Sequence, residues 1–464
     1  MRLTRFLLLA VVSVAVVTGI LFAATRPRYG GVLRVEMHAA VQNLDPAAAA
    51  PDNDAQTARA RLSPLVYETL VRLDEEGRAE PLLAISWQAD SRLQRWEFRL
   101  RAGVKFHDGT VLTPAAAVAA LSAAGRGWQV SGAKDAVVIE SERPVPELPR
   151  DLANSAHAIV LRGADGVLSG TGPFRVAAWE AGRRALLAAN EDYWGGRPFL
   201  DGIHVEMGRS SRDQLLDLDL DKADFVELPP QETRRAASRP AMIWSSAPIE
   251  LVALVFDRGR SSPVDIRTRK ALALAIDRAA IHTVLLQRRG EAAESLLPAW
   301  LSGYAFLFST AREPGAKPSG AAPLGLAFDA ADPLAKVIAE RIAVDCRAAG
   351  LPIQLSGKSG EVKAGMSELR LVRIKIRPAP AATALAELEA GLGLGGYEPD
   401  PAPESIQTAY EAERSLLEEC IVIPLLHLPE VYAVGQRVRS WKTPAILLTG
   451  EWRFEDVWLL PEKS

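Results

Sequence analysis

Only two cysteines, Cys346 and Cys420, occur in 464 residues. That excludes a disulfide scaffold, so core burial must hold the fold. Both fall in apolar stretches with helical spacing, which favours two buried thiols over a bridge. The six histidines (His38, His107, His157, His204, His282 and His427) never stand with Cys or another His at metal-ligand spacing. No metal or other cofactor is therefore expected. No Gly-x-Ser-x-Gly nucleophile elbow occurs, and His107, beside a turn, reads as structural. A hydrolase would rest on the presence of a cleft alone. The formal charge is −3, and Lys and Arg are nowhere concentrated. Nucleic acid is thus excluded as a partner, because phosphate binding needs dense basic surface. No second long apolar run follows the amino-terminal one, which argues against a permease.

What is present begins at the amino terminus. Arg2 and Arg5 precede an uncharged run from Phe6 to Ala24 that ends in two alanines. This is the pattern of a secretory signal. As a helix the run would reach about 28 Å, close to a hydrocarbon core, so a retained anchor is the alternative. Either places the rest of the chain outside the cytoplasm. Hydrophobic residues make up 48% and charged residues 24%, the composition of an ordinary globular chain. At this length two or three lobes are expected.

Along the chain, Val32 to Glu36 reads as a strand, and Leu62 to Leu73 carries helical spacing. Trp96 to Leu100 alternates as a half-buried strand, and Asp108-Gly109 marks a turn that needs positive φ. Thr113 caps a helix with Pro114 at its first position. Gly170-Thr171-Gly172-Pro173 is a breaker cluster suited to a crossing between lobes. Val252 to Phe256 is a continuous apolar run, as in a buried strand. Asp265 and Asp277 each cap a helix, the second stopped by Gly290. Leu324 to Leu355 reads as strand, helix, strand, the crossover of a parallel pair and hence of an α/β lobe. Gly391, Gly393 and Gly396 match dinucleotide-binding spacing. However, a helix-like stretch precedes them and Tyr397-Glu398-Pro399-Asp400-Pro401 follows, so a helix-terminating loop is the better reading.

Several of these segments, in order, resemble the oligopeptide- and dipeptide-type extracellular solute-binding proteins (family 5) of ABC importers. The match includes Leu65-Val66-Tyr67-Glu68-Thr69-Leu70, Pro81-Leu82-Leu83-Ala84-Ile85-Ser86-Trp87 and Phe98 through Gly109, the most specific of them. Gly170 to Phe174, Asn190-Glu191-Asp192-Tyr193-Trp194 and Arg269 to Arg278 continue it. The resemblance implies an α/β, bilobal periplasmic-binding-protein type II fold with a small extra subdomain. It places 26–50, 165–260 and 430–464 in the first lobe, 51–164 in a shortened subdomain, and 261–429 in a shortened second lobe. Residues 1–25 are the signal peptide or membrane anchor.

It also implies a monomeric, non-enzymatic binding protein in the periplasm or on the membrane face. Such a protein captures a small organic or peptide-like solute by lobe closure and delivers it to an ABC permease in the inner membrane. The alternative is a membrane-anchored sensor or accessory protein that kept the lobes but lost uptake. The family's Asp-Tyr-Pro-Asp-Pro segment, whose first acid pairs with a peptide's ammonium, corresponds to Tyr397-Glu398-Pro399-Asp400-Pro401, so Tyr397 stands where that acid would be. Carried over in this way, the candidate ligand contacts are Val41, Gln42 and Asn43 after the first strand, Glu250 near the lobe crossing, and Tyr397 and Glu398. Trp179, Trp194 and Trp300 read as packing residues.

Overall fold

The computed structural model describes residues 26–461 except 49–52, 75–76, 124–126, 164–165, 234–240, 258–263, 309–322, 359–361, 364, 366, 378, 395–405, 441, 443–446 and 448. Eleven strands form one continuous mixed sheet that runs through both lobes. Ten of them are numbered here in chain order: β1 (Val32–Glu36), β2 (Phe174–Glu180), β3 (Arg184–Ala189), β4 (Gly202–Glu206), β5 (Phe225–Leu228), β6 (Met242–Phe256), β7 (Leu324–Asp329), β8 (Ile353–Lys358), β9 (Leu369–Lys375) and β10 (Val422–Val434). Their spatial order is β2-β3-β4-β1-β5-β10-β6-β9-β7-β8, with the short strand Glu291–Ala292 beside β10. Three helices matter below: α1 (Asn53–Val66), α2 (Pro333–Ala348) and α3 (Ala381–Gly391).

The strands β6 and β10 carry the chain between lobes. Near Met242 and Val434 they belong to the first lobe, where β10 also pairs with β5; toward Phe256 and Val422 they belong to the second, where β6 also pairs with β9. Between the two ends the register slips at Ser245/Pro248 and at Pro248/Glu250, and Pro248 lies opposite Pro429. Neither proline has an N–H to give, so the ladder is interrupted where the lobes join. The Gly-Thr-Gly-Pro cluster does not make this crossing. Gly170 and Gly172 instead lie against the end of α1, and a Cβ on Gly170 would sit 2.0 Å from the Val66 carbonyl oxygen. The glycines are there for close approach, not for bending.

The apolar run of β6 is buried on both faces because a strand's side chains alternate. Val252, Leu254 and Phe256 join the core under α2, whereas Leu251, Ala253 and Val255 join the core under α3. Each fully buried aliphatic contributes roughly 1.5–3 kcal/mol, so both helices are held by the same strand. The parallel pairing of β7 with β8 across α2 matches the crossover read from the sequence, and Asp332 caps α2 by accepting from the Leu334 N–H at 2.9 Å. Asp265 and Asp277 cap their helices as expected. Cys346 and Cys420 are both free; burial pushes the Cys346 thiol up to about 12.

In the first lobe, Leu62, Leu65 and Val66 of α1 pack with Leu33 and Val35 of β1 and with an aromatic group of Phe225, Tyr432, Trp452 and Phe454. The helical spacing from Leu62 does not continue to Leu73. The helix ends at Val66, and Leu70 and Val71 enter a separate core, with Val71–Leu73 extended. That core belongs to the small subdomain, whose sheet runs Ala84–Ala89, Arg95–Leu100, Ala136–Glu140, Gln129–Gly132. Gly109 has φ +88°, as its turn required. His107 lies against the glycine cluster, its Nε2 3.0 Å from the Gly172 carbonyl and its Nδ1 accepting from the Gly170 N–H at 3.4 Å, and burial lowers its pKa.

A buried acid pins the second lobe. Glu413, 0% exposed, accepts from the Leu296 amide and, at 2.9 Å, from the Tyr304 hydroxyl. Burial outweighs these bonds and pushes its carboxyl up to about 7. The folded state therefore holds the proton more tightly than the unfolded chain, and stability falls as pH rises from about 4.5 through 7. Glu413→Gln is expected to gain about 3 kcal/mol relative to the parent between pH 4 and pH 8. Denaturant titration at both pH values measures this, and a pH-independent difference would contradict it.

Candidate functional site

Where the lobes meet, the facing groups are charged rather than apolar. The contact is made by α1 of the first lobe against β9 of the second, with the crossing strands between them. Glu430 on β10 and Glu250 on β6 are lone acids in apolar strands, 6% and 3% exposed. Arg61 on α1 donates to Glu430 and, at 2.5 Å, to Glu227 on β5. Lys375 on β9 reaches both acids, 2.7 Å from Glu250 and 3.4 Å from Glu430. Arg373, two residues back along the same strand, donates to Glu250 at 2.6 Å and to the capping residue Asp332 at 2.6 Å. The result is an unbroken line of ion pairs, Glu227–Arg61–Glu430–Lys375–Glu250–Arg373–Asp332, running from one lobe to the other.

Alternation places it there. Residues 373 and 375 share one face of β9, and the pairing of Lys375 with Glu250 puts that end of the strand at the crossing. Burial alone would push Glu250 up, but Arg373 and Lys375 outweigh it and hold the carboxyl at about 2. Its ion pairs are therefore intact at every pH above about 4.5, and their contribution is lost only as pH falls toward 2. Glu430 is likewise lowered: Arg61 and Lys375 overcome its burial. The Tyr432 hydroxyl also donates to Glu430 at 2.8 Å. Desolvation offsets most of the Coulombic gain of such pairs. A seam of this kind therefore joins the lobes without the large net stabilisation of an apolar core.

The residues expected from the sequence are spread differently. Glu250 is in the line, with both oxygens engaged. Val41 packs into the first-lobe core and its carbonyl accepts from the Gly182 N–H. Gln42 is exposed, its carbonyl accepting from the Trp179 indole at 2.9 Å. The Asn43 side chain accepts from the Asp45 N–H at 3.1 Å within its own loop. Tyr397 and Glu398 lie outside the described residues. Trp194 donates to the buried Glu68, and Trp300 donates to the Pro248 carbonyl at 2.8 Å, beside the crossing. Arg61, Glu430, Lys375 and Arg373 were not singled out from sequence. The available signal was a charge inside an otherwise apolar run, as at Glu430 within Leu425 to Val434.

A concavity of about 640 Å³ opens elsewhere on the first lobe, lined by Tyr29, Arg34, His204 and Arg437. Arg34 and Arg437 both clasp Asp224, at 2.9 and 2.6 Å, so they brace the chain rather than await a guest. Among the described residues, no three His, Cys, Asp or Glu side chains gather as metal ligands. No described helix is long and apolar enough to cross a membrane.

Comparison with known proteins agrees with this architecture. The profile of the bacterial extracellular solute-binding proteins, family 5 Middle, matches residues 78–331. A probable D,D-dipeptide-binding periplasmic protein of Escherichia coli is 25% identical over 295 residues, 57% of this chain and 56% of that one. The nickel-binding periplasmic protein of the same species is 23% identical over 346 residues, covering 63% and 66%. The chain thus spans about half the length of the first of these relatives. Among solved structures, the substrate-binding protein CtaP of Listeria monocytogenes superposes with a TM-score of 0.75 at 17% identity, over 93% of this chain and 100% of that one. The oligopeptide-binding protein AppA of Bacillus subtilis, in complex with a nonapeptide, gives 0.72 at 17% identity over 94% and 100%. At such identities the likeness concerns the fold.

Proposed function

Because the chain belongs to the bacterial extracellular solute-binding proteins of family 5, which bind and do not catalyse, we propose that it captures a small organic or peptide-like solute outside the cytoplasm by closing its lobes. It then hands the solute to the permease of an ABC importer. The observation that carries this reading is the joint. Among the described residues only β6 and β10 cross between lobes, the ladder is interrupted at Pro248 and Pro429, and the surfaces beside the crossing are charged. A hinge of this kind supports two shapes, and a guest that touches both lobes only in the closed one shifts the population toward it.

Native mass spectrometry of the chain purified without refolding is expected to show a bound small molecule. Small-angle scattering is expected to show an expansion when that molecule is removed by partial denaturation and dialysis. An unloaded chain with the same scattering under every condition would end this reading.

A further inference from the structure

The second lobe has an outer layer whose charge is opposite to that of the chain. It consists of the helix Ile266–Ala275, the π-helical turn Ile281–Leu285 and α2. All three bury one side in the same core: Leu272 from the helix, Ile281 and Leu286 from the turn and its end, Ile338 and Ile342 from α2. Their other sides therefore face solvent together. Residues 265–290 and 332–350 carry nine Lys and Arg against five Asp and Glu, a net +4 within a chain of net −3. Arg267, Lys270, Arg288, Arg289, Lys336 and Arg347 are exposed, and none of the six forms an ion pair with a described residue. The exposed acids of these two segments are Asp265 and Glu340, and Asp265 is occupied in capping the Arg267 and Thr268 amides. Among the cations stand Ile266, Val284, Val337 and Val344, from 42 to 65% exposed.

The turn that presents Arg288 and Arg289 is fixed in place. Leu286 is fully buried, the Arg288 amide donates to the His282 carbonyl, and the His282 ring donates to the Gly290 carbonyl, both at 2.9 Å. Gly290 lies so close to β10 that a Cβ on it would sit 2.3 Å from the His427 carbonyl oxygen. Between these fixtures Gln287 and Arg288 have φ +52° and +66°, two successive left-handed residues, neither of them glycine. Such backbone is strained. What the strain delivers here is two adjacent exposed arginines next to an exposed valine.

Unpaired cations interleaved with aliphatic side chains suit the surface of an anionic bilayer. Each Lys or Arg near such a surface strengthens binding roughly fivefold, and the aliphatic groups enter the headgroup layer. A folded acidic partner would instead call for a compact patch with a desolvated centre, whereas these cations are spread over three elements. The uncharged run Phe6 to Ala24 also ends two residues before the described body begins at Arg26. Where that run serves as an anchor, the body has almost no slack to leave the headgroups. We propose that this face of the second lobe is a docking surface for an anionic membrane, with phospholipid headgroups as its partners. The proposal goes beyond the uptake reading and does not depend on which solute is bound.

The test follows hydrogen exchange of the full chain with vesicles of phosphatidylcholine alone and of phosphatidylcholine mixed with phosphatidylglycerol. Peptides covering 265–270 and 283–290 should exchange more slowly with the mixed vesicles only. The protection should vanish near about 1 M sodium chloride, where the screening length falls to about 3 Å. Reading these peptides separates the lobe from the amino-terminal run, which has its own affinity for lipid. The double variant Arg288→Glu with Arg289→Glu should lose the protection, with the face's affinity for the mixed vesicles at least about tenfold weaker. Its melting temperature should match that of the parent. If the strained turn does not tolerate this change, Arg267→Glu with Lys270→Glu on the neighbouring helix carries the same test. Equal protection by both kinds of vesicle, protection by neither, or protection that survives the substitutions overturns the proposal. Protection by soluble polyglutamate but by neither vesicle also overturns it, and assigns the face to an acidic protein instead.

Discussion

Arg61→Met is expected to cost about 3–5 kcal/mol, the typical penalty for removing one partner of a buried pair. The methionine fills much of the same space, so the loss is electrostatic. Glu430 keeps only the more distant Lys375 at 3.4 Å and the Tyr432 hydroxyl, and Glu227 keeps the His38 amide at 2.5 Å. The penalty has two possible outlets. If the lobes remain shut, it appears as a lower midpoint in denaturant. If they part and water reaches the orphaned acids, it appears as a larger radius of gyration. Both are measured on one sample. The double substitution Arg61→Met with Glu430→Gln should cost less than the two singles combined, because the second change removes the stranded charge. A variant with unchanged midpoint and unchanged scattering would refute the role given to this line of ions.

Gly170→Ala should also be severe, by about 3 kcal/mol or more, for a reason that has nothing to do with charge. The added carbon would lie 2.0 Å from the Val66 carbonyl oxygen and 2.5 Å from the Tyr67 ring. The same carbonyl already accepts from Gly172 N–H at 3.0 Å, so backbone on both sides would have to separate. Gly166→Ala is the matching control. That residue has φ +79° with nothing within 4 Å of its would-be Cβ, so only the strain of a left-handed backbone is felt, about 1–2 kcal/mol. Equal losses at the two positions, measured by denaturant titration, would show that crowding at α1 is not what Gly170 relieves.

These two experiments also mark where the sequence was informative. The strand Val252 to Phe256, the caps Asp265 and Asp277, the turn at Gly109 and the crossover through α2 were legible because each is governed by neighbours within a few residues. The glycine cluster was legible as special but not as to why, since glycine permits both a bend and a close approach and only the partner, Val66, decides between them. Leu70 kept helical spacing with Leu62 and Leu65 although it enters a different core, because spacing does not say which core a side chain joins. The seam was hardly legible at all. Its members come from residues 61, 227, 250, 332, 373, 375 and 430, and no local pattern links a helix near the amino terminus to a strand more than three hundred residues later. Glu250 was singled out as a ligand contact, not as a member of this line, and its partners were not singled out at all.

The opposed prolines of the two crossing strands have one more consequence. Where Pro248 faces Pro429, the sheet has no rung to break. Rotation at that point sacrifices no amide pairing and leaves the ladders on either side whole. On the proposed closing motion, the molecule would pass between its two shapes without any part of its sheet unravelling.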